Sequence, residues 1–262
     1  MNRAERRRQA KEDERLIARG LDSELPDEMK VAVLMRVLHQ RIEDSRSAGS
    51  VAPLMSFFHD NMRAAHRVAP VRAIACRRGC AHCCHSFVSA RAPEVLFVKS
   101  AIPTRQKEAI RAAVEAAFAV TGTLGVTERA AMATPCPLLQ GNLCQVYAAR
   151  PATCQTAVSG SAEICARAFR PGAAAEDIPT PDFYITMRSG YSLALAGALK
   201  RAGFPAASYE YNAALRAVLA RADAEAAWLA GEDVFAGVPI DPGSDPFEFP
   251  RNRRLYDAAW AG

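Results

Sequence analysis

Four of the eight cysteines in this 262-residue chain, Cys76, Cys80, Cys83 and Cys84, fall within nine residues, with His82 among them and His85 directly after. Thiols this dense bring soft ligands together whatever the backbone does. If the segment is helical, Cys76, Cys80 and Cys84 share a face and Cys80 and Cys83 are neighbours. Adjacent Cys83 and Cys84 point in different directions, so both can ligate, most naturally to different ions, or one ligates while the other packs or bridges. The other four, Cys136, Cys144, Cys154 and Cys165, are spaced too widely for one self-contained finger. They suit a loop wrapped around ligands from the first cluster, and eight thiolates is the number that two tetrahedral all-thiolate sites use.

The surroundings of the cysteines decide how to read them. The apolar stretch Tyr191 to Leu199 is broken by Ser192 and falls far short of the roughly 20 residues of a membrane span. Residues 1–20 are mostly charged and hold no apolar run of about 7 to 15 residues such as a secretory signal carries. A cytoplasmic protein is expected, and a reducing compartment favours metal binding or redox chemistry over disulfides. With 50% hydrophobic and 23% charged residues, disorder is excluded. Aromatics are only 7%, so the core must come from small and aliphatic side chains at helical spacing. The net charge of +5 is too evenly scattered to call for a nucleic-acid partner.

Residues 1–20 read as a solvated, charged helical arm, with seven basic residues (Arg3, Arg6, Arg7, Arg8, Lys11, Arg15 and Arg19) against four acidic ones. Residues 21–70 read as a helical pair opening at Pro26: Val31, Leu34, Met35, Leu38 and Ile42 form one stripe, and Val51, Leu54, Met55, Phe58, Met62 and Ala65 a second. Ser45 to Ser50 is the expected turn between them. His39, His59 and His66 lie in or beside this pair and are read as surface or capping residues without a role.

Within residues 71–170, the cysteine-cluster region, Pro93 starts a helix running to about Ala101. Thr104 caps another, striped by Ile110, Ala113, Val114, Ala117 and Phe118 and ended by Gly122 and Gly125. Gln140, Gly141 and Asn142 predict a hairpin-like turn. Residues 171–262 supply C-terminal helices at about 183–202, 207–222 and 223–230 packing on the same domain, with an extended tail from Val238 to Pro250. The expected fold class is mainly α, interrupted by two cysteine-bearing segments with at most a short β-hairpin.

The combined pattern C-x3-C-x2-C-C, C-P-x-L and C-x2-Y-x2-R-P-x2-C is carried by Cys76, Cys80, Cys83, Cys84, Cys136, Pro137, Leu139, Cys144, Tyr147, Arg150, Pro151 and Cys154. It resembles the YkgJ-type cysteine-cluster family of zinc- or iron-chelating proteins, which also includes flagellin lysine N-methylases. The resemblance covers about residues 70–170 and implies a metal site formed by the matching cysteines with Cys165 as the eighth ligand. Glu94 falls where similar proteins often carry an acidic residue starting a helix. Tyr147 and Arg150, about one helical turn apart, are read as support beside the metal: the tyrosine packing with its hydroxyl bonded, the arginine bridging thiolates and backbone carbonyls. His82 and His85 are read as outer or surface groups.

Thiolate-rich sites suit zinc and Fe-S centres alike. The ferredoxin spacing C-x2-C-x2-C-x3-C-P is absent, because the double cysteine interrupts it and the one Cys-Pro pair lies far downstream, so zinc is preferred and iron or another Fe-S cluster stays open. Four thiolates around a zinc ion leave a charge of −2, which Arg72, Arg77, Arg78, Arg91 and Arg150 can offset. The expected partners are thus a metal ion and an unidentified protein, with no membrane. Two other readings are kept. One is an S-adenosylmethionine (SAM)-dependent protein-lysine methyltransferase, implied by the methylase relatives, although Gly122 to Gly125 follows a helix rather than a strand and no other Gly-rich cofactor motif appears. The other is a redox sensor or electron carrier whose thiols are acidified by Arg77 and Arg78. No catalytic residue stands out.

Overall fold

Amphipathic stripes become packed helices around α2. The computed structural model describes residues 3–18, 27–69, 74–173 and 176–261, with α1 at Arg3–Ala18, α2 at Asp27–Ala48 and α3 at Ala52–Val68. Leu34, Met35, Leu38 and Ile42 of α2 and Leu54, Met55, Phe58 and Met62 of α3 are buried. The α2 helix runs four residues further than expected, through Ser45 to Ala48, because Ser45 is buried and its hydroxyl accepts the Leu54 N–H at 3.1 Å. Gly49 (φ +67°), Ser50 and Val51 make the turn, and Glu225 closes it by accepting from Ser50 Oγ (2.9 Å) and Val51 N (2.6 Å).

The charged arm does not stand free in solvent. Asp13 of α1 is buried and takes both Nε and Nη2 of Arg36 at 2.7 Å, a bidentate pair that docks α1 on α2. Arg41 reaches Glu14 at 3.1 Å, and Ile17 packs on the core. Pro26 and Arg19 lie outside the described residues, as do the side chains of Arg3, Arg6 and Arg7.

Downstream come β1 (Ser89–Arg91), α4 (Ala92–Ala101), α5 (Lys107–Thr121), α6 (Val126–Met132), β2 (Leu139–Gln140), β3 (Leu143–Cys144), α7 (Ala152–Thr156), α8 (Ala162–Ala168), α9 (Asp182–Arg201), β4 (Ser208–Glu210), α10 (Tyr211–Ala220), α11 (Ala224–Leu229) and α12 (Pro250–Trp260). The fold is mainly α. Helix α9 presents Leu193 to Leu199 as a fully buried run against α2, and a Cβ at Gly197 would collide with Met35, so a glycine is what lets the two helices approach this closely. One continuous buried cluster runs from Leu34 to Ala259. Among the described residues no helix is long and apolar enough to cross a membrane.

The hairpin forms where predicted: β2 and β3 pair antiparallel with Leu139 opposite Cys144, and both turn residues, Gly141 (φ +55°) and Asn142 (φ +60°), are left-handed as a two-residue hairpin turn requires. A second antiparallel pair, β1 with β4, was not foreseen, and it replaces the start of the helix expected from 207. Three residues per strand are too few to show an alternating pattern. Each strand feeds a capped helix: Glu94 accepts the Arg91 N–H at 2.8 Å at the start of α4, and Glu210 accepts the Ala213 N–H at 2.7 Å at the start of α10. Thr104 opens a 3-10 turn rather than capping α5 directly. Helix α12 was likewise not foreseen. It docks through Trp260, whose ring meets His39 edge-on at 5.3 Å and lies under Arg201.

Candidate metal centre

The first cysteine segment is not the helix whose shared face was considered above. Cys76 to Gly79 is exposed, and Gly79 (φ +83°) lets the chain turn so that Cys80 N reaches Arg77 O at 3.0 Å. His82–His85 then forms a single 3-10 turn, closed by Cys84 N to Ala81 O (3.0 Å) and by Ser86, whose N–H and hydroxyl both bond to Cys83 O. His85 Nδ1 lies 3.2 Å from Ala81 O, which keeps that ring in the turn.

The second segment is tied to the first at one point and then folds around it. Cys136 donates its N–H to Cys84 O at 2.7 Å, and Leu139 N bonds back to Cys136 O at 2.9 Å. The hairpin then returns Cys144 beside Leu139. Pro151 opens α7, which carries Cys154. Helix α7 is clamped at both ends: Glu94, buried, accepts the Ala152 N–H at 2.8 Å, and Arg188 of α9 donates to Thr156 Oγ1 (3.0 Å) and Thr156 O (2.9 Å). One carboxylate thus holds the start of α4 and the start of α7 together. Burial pushes its pKa up, opposed by the two N–H bonds and by Arg91. Cys165 lies on α8, where the Ser161 hydroxyl accepts the Ile164 N–H. Helix α8 packs on the 3-10 turn of the first segment.

The thiols fall into two groups. Cys83, Cys136, Cys144 and Cys154 form a quartet in which every pair interacts electrostatically. Cys76 interacts instead with Cys80, Cys165 and Cys83. Cys83 and Cys84 do not diverge as expected: their thiols hydrogen-bond to each other, and that pair is the junction between the groups. Burial pushes the Cys136 thiol up to about 11, aided by Cys144 and Cys83 and opposed by Arg129. It raises Cys76, Cys144 and Cys154 too, while Cys83 is raised first by its bond to Cys84 and then by burial. These shifts run opposite to the acidified thiols of the redox reading.

Three guanidinium groups do face the quartet. Arg150 acts on Cys83, Cys144 and Cys154, Arg129 on Cys136, and Arg188 interacts with Cys154. Of the cations expected from sequence, only Arg150 is among them. Arg91 is taken up by Ala206 O, Ser192 Oγ and Ser244 O, Arg77 and Arg78 are exposed, and Arg72 lies outside the described residues. Arg129 and Arg188 carry no local motif. The only clue to Arg188 is its place four residues after buried Tyr184 on α9. Tyr147 does not pack: its ring is 66% exposed, with the Arg150 guanidinium stacked 3.7 Å from its centroid and Arg150 Nε donating to Tyr147 O. The tyrosine bordering the quartet is instead buried Tyr211, raised by burial and then by the thiols of Cys136, Cys154 and Cys144. His59 was also misread as a surface residue. It is 2% exposed, and its Nδ1 meets Ala148 O at 3.1 Å, joining α3 to the cysteine region.

Among the described residues, no three His, Cys, Asp or Glu side chains are arranged to hold a metal ion as they stand. The donor chemistry nevertheless fits one: four soft thiols from two distant segments, with three guanidinium groups to balance the −2 charge of a divalent ion bound by four thiolates. No curated protein and no solved structure matches the chain. Residues 75–168 match the model of a family described as "CxxCxxCC: Putative zinc- or iron-chelating domain". The matched segment spans both groups of thiols and the Glu94 clamp between them, so the resemblance to that family covers the cysteine region and not the rest of the chain.

Proposed function

We propose that the eight cysteines hold two metal centres, zinc in preference to iron, and that ligation stabilises the middle of the chain. The inner centre takes Cys83, Cys136, Cys144 and Cys154. The outer takes Cys76, Cys80, Cys84 and Cys165. The observation that supports this reading is the Cys136 N–H bond to Cys84 O at 2.7 Å, which ties together two cysteine segments more than 50 residues apart, with Cys83 interacting electrostatically with Cys136, Cys144 and Cys154. Zinc is preferred because the sequence lacks the ferredoxin spacing and because a closed four-thiolate site is the usual form of structural zinc. Structural zinc binds with apparent energies of about 10 to 16 kcal/mol at neutral pH, comparable with the whole stability of a domain, about 5 to 15 kcal/mol.

Elemental analysis of protein purified without oxygen, together with its visible spectrum, tests the reading. About two zinc ions per chain and no colour is the expected result. Cys83→Ser should lower the metal content and loosen residues 75–168. Iron with sulfide and a brown colour overturns the zinc preference, and metal-free protein as stable as the metal-loaded form overturns the whole reading.

A further inference from the structure

A second set of charges converges away from the thiols. A cleft of about 320 Å³ lies between α4, α5, the end of α10 and α11, and no cysteine lines it. Three cations do: Lys99 of α4, and Lys107 and Arg111 of α5. Lys99 Nζ donates to Arg221 O at 2.6 Å and to Ala222 O at 3.1 Å, just past the end of α10, which fixes the ammonium and leaves its third N–H for another acceptor. Lys107 and Arg111 are exposed, one helical turn apart on the same face of α5, and neither makes a hydrogen bond or an ion pair among the described residues. Burial lowers the pKa of Lys99. Glu225 and Asp223 oppose the fall and the Lys107 charge adds to it, so the two ammonium groups are close enough to repel. Two carboxylates line the cleft as well. Glu225 is committed to Ser50 Oγ and Val51 N, and Glu108 stands exposed in the first turn of α5. Three cations against two carboxylates leave the cleft positive, and Leu96 and Leu219 supply its apolar wall.

The geometry points to a binding site for a small phosphomonoester, its dianion held by Lys99, Lys107 and Arg111 and its organic part laid against Leu96 and Leu219. The volume is at the lower end of ligand pockets, about 300 to 1,000 Å³, which suits a single ring or a short chain rather than a polymer. A guanidinium fork takes two phosphate oxygens at once, and a lysine ammonium beside it acts as a point charge. A phosphate ester brings nearly two negative charges and three strong acceptor oxygens, enough to engage all three cations, whereas a monocarboxylate brings one charge. The site is independent of the proposed metal centres, since none of its residues is among their ligands.

The test is calorimetric titration of the full chain at low ionic strength with phenyl phosphate, inorganic phosphate and benzoate as the probes. Phenyl phosphate should saturate one site per chain and bind about tenfold tighter than inorganic phosphate, because its ring covers apolar wall, and tighter than benzoate. Arg111→Ala and Lys107→Ala should each weaken phenyl phosphate binding about tenfold. Glu108→Gln should strengthen it about threefold by removing an opposing charge, a gain that a merely structural role does not produce. Arg254→Ala, which removes an exposed cation of α12 outside the cleft, should leave it unchanged. All four variants alter exposed side chains, so the fold is kept, and thermal melting checks that it is. Absence of saturable phenyl phosphate binding overturns the site. Equal weakening by Arg254→Ala and Arg111→Ala overturns it too, since the attraction is then that of the whole positive chain, and benzoate binding as tightly as phenyl phosphate overturns the choice of ligand.

Discussion

The α2–α9 scaffold and the cysteine region are held by different means. In the scaffold, positions at helical spacing meet across a close contact made possible by Gly197, and Met35, Leu38, Ile42, Phe58, Leu195 and Leu199 are removed from water almost completely. In the cysteine region the elements are a few residues long, the thiols are mostly half-buried, and order comes from single bonds such as Cys136 to Cys84 and Ala152 to Glu94. Apolar burial is non-directional and tolerates adjustment. A chain of single polar clamps does not, because each buried group that loses its partner carries its full desolvation cost. The scaffold should therefore fold with or without metal, and the cysteine region should depend on it.

The largest expected effect tests the scaffold. Phe58 is fully buried and meets Tyr191 edge-on at 5.6 Å between centroids. Phe58→Ala should remove about 3 to 5 kcal/mol of stability. If the regions are separable, metal bound per folded chain should not change. A denaturant titration alongside elemental analysis measures both, and loss of metal from still-folded protein would break the comparison.

A smaller effect is expected at the clamp. In Glu94→Gln the new amide group faces either Arg91 N or Ala152 N, both donors, so one N–H loses its acceptor at a cost of about 1 to 3 kcal/mol. Hydrogen exchange should rise first in α7 and at Cys154, ahead of α2 and α9. Uniform exchange across the chain would mean that the regions unfold as one.

This contrast also explains what the sequence made legible. The stripes of α2, α3 and α5 declare themselves because each repeats an apolar position several times. The hairpin is announced by Gly141 and Asn142, whose left-handed backbone suits few other residue pairs. The cysteines mark the candidate site by their density. What surrounds them is not legible, because Arg188, Tyr211 and His59 reach the cysteine region only through tertiary packing, and Arg129, though close to Cys136 in sequence, carries no motif. The β1–β4 pairing joins residues more than 100 positions apart and leaves no local pattern. The arm reads as solvated because its charge hides Asp13, whose burial depends on Arg36 of another helix.

The smallest expected effect lies where the two regions touch. His59, on α3, places Nδ1 at 3.1 Å from Ala148 O of the cysteine region, while its Nε2 is buried without a partner among the described residues. A carbonyl only accepts, so Nδ1 carries the proton and the neutral ring is the form that fits. Burial lowers its pKa below the ordinary 6.5, with Arg63 and Arg150 adding to the shift and the Ala148 bond and Asp60 opposing it. Burial lowers His39 and His66 as well. Below pH 6.5 the unfolded chain takes up protons that the folded one refuses, so this stability is present above that pH and is lost as the pH falls through 6.5 towards the folded values. Each histidine contributes at most about 1.4 kcal/mol per pH unit. His59→Asn keeps an N–H for Ala148 O and removes the titration. Urea denaturation at pH 7.5 and 5.5 should show the variant losing less stability between the two than the parent chain does. An equal loss in both would mean that His59 is free to charge, and that the junction between scaffold and cysteine region is looser than its buried ring implies.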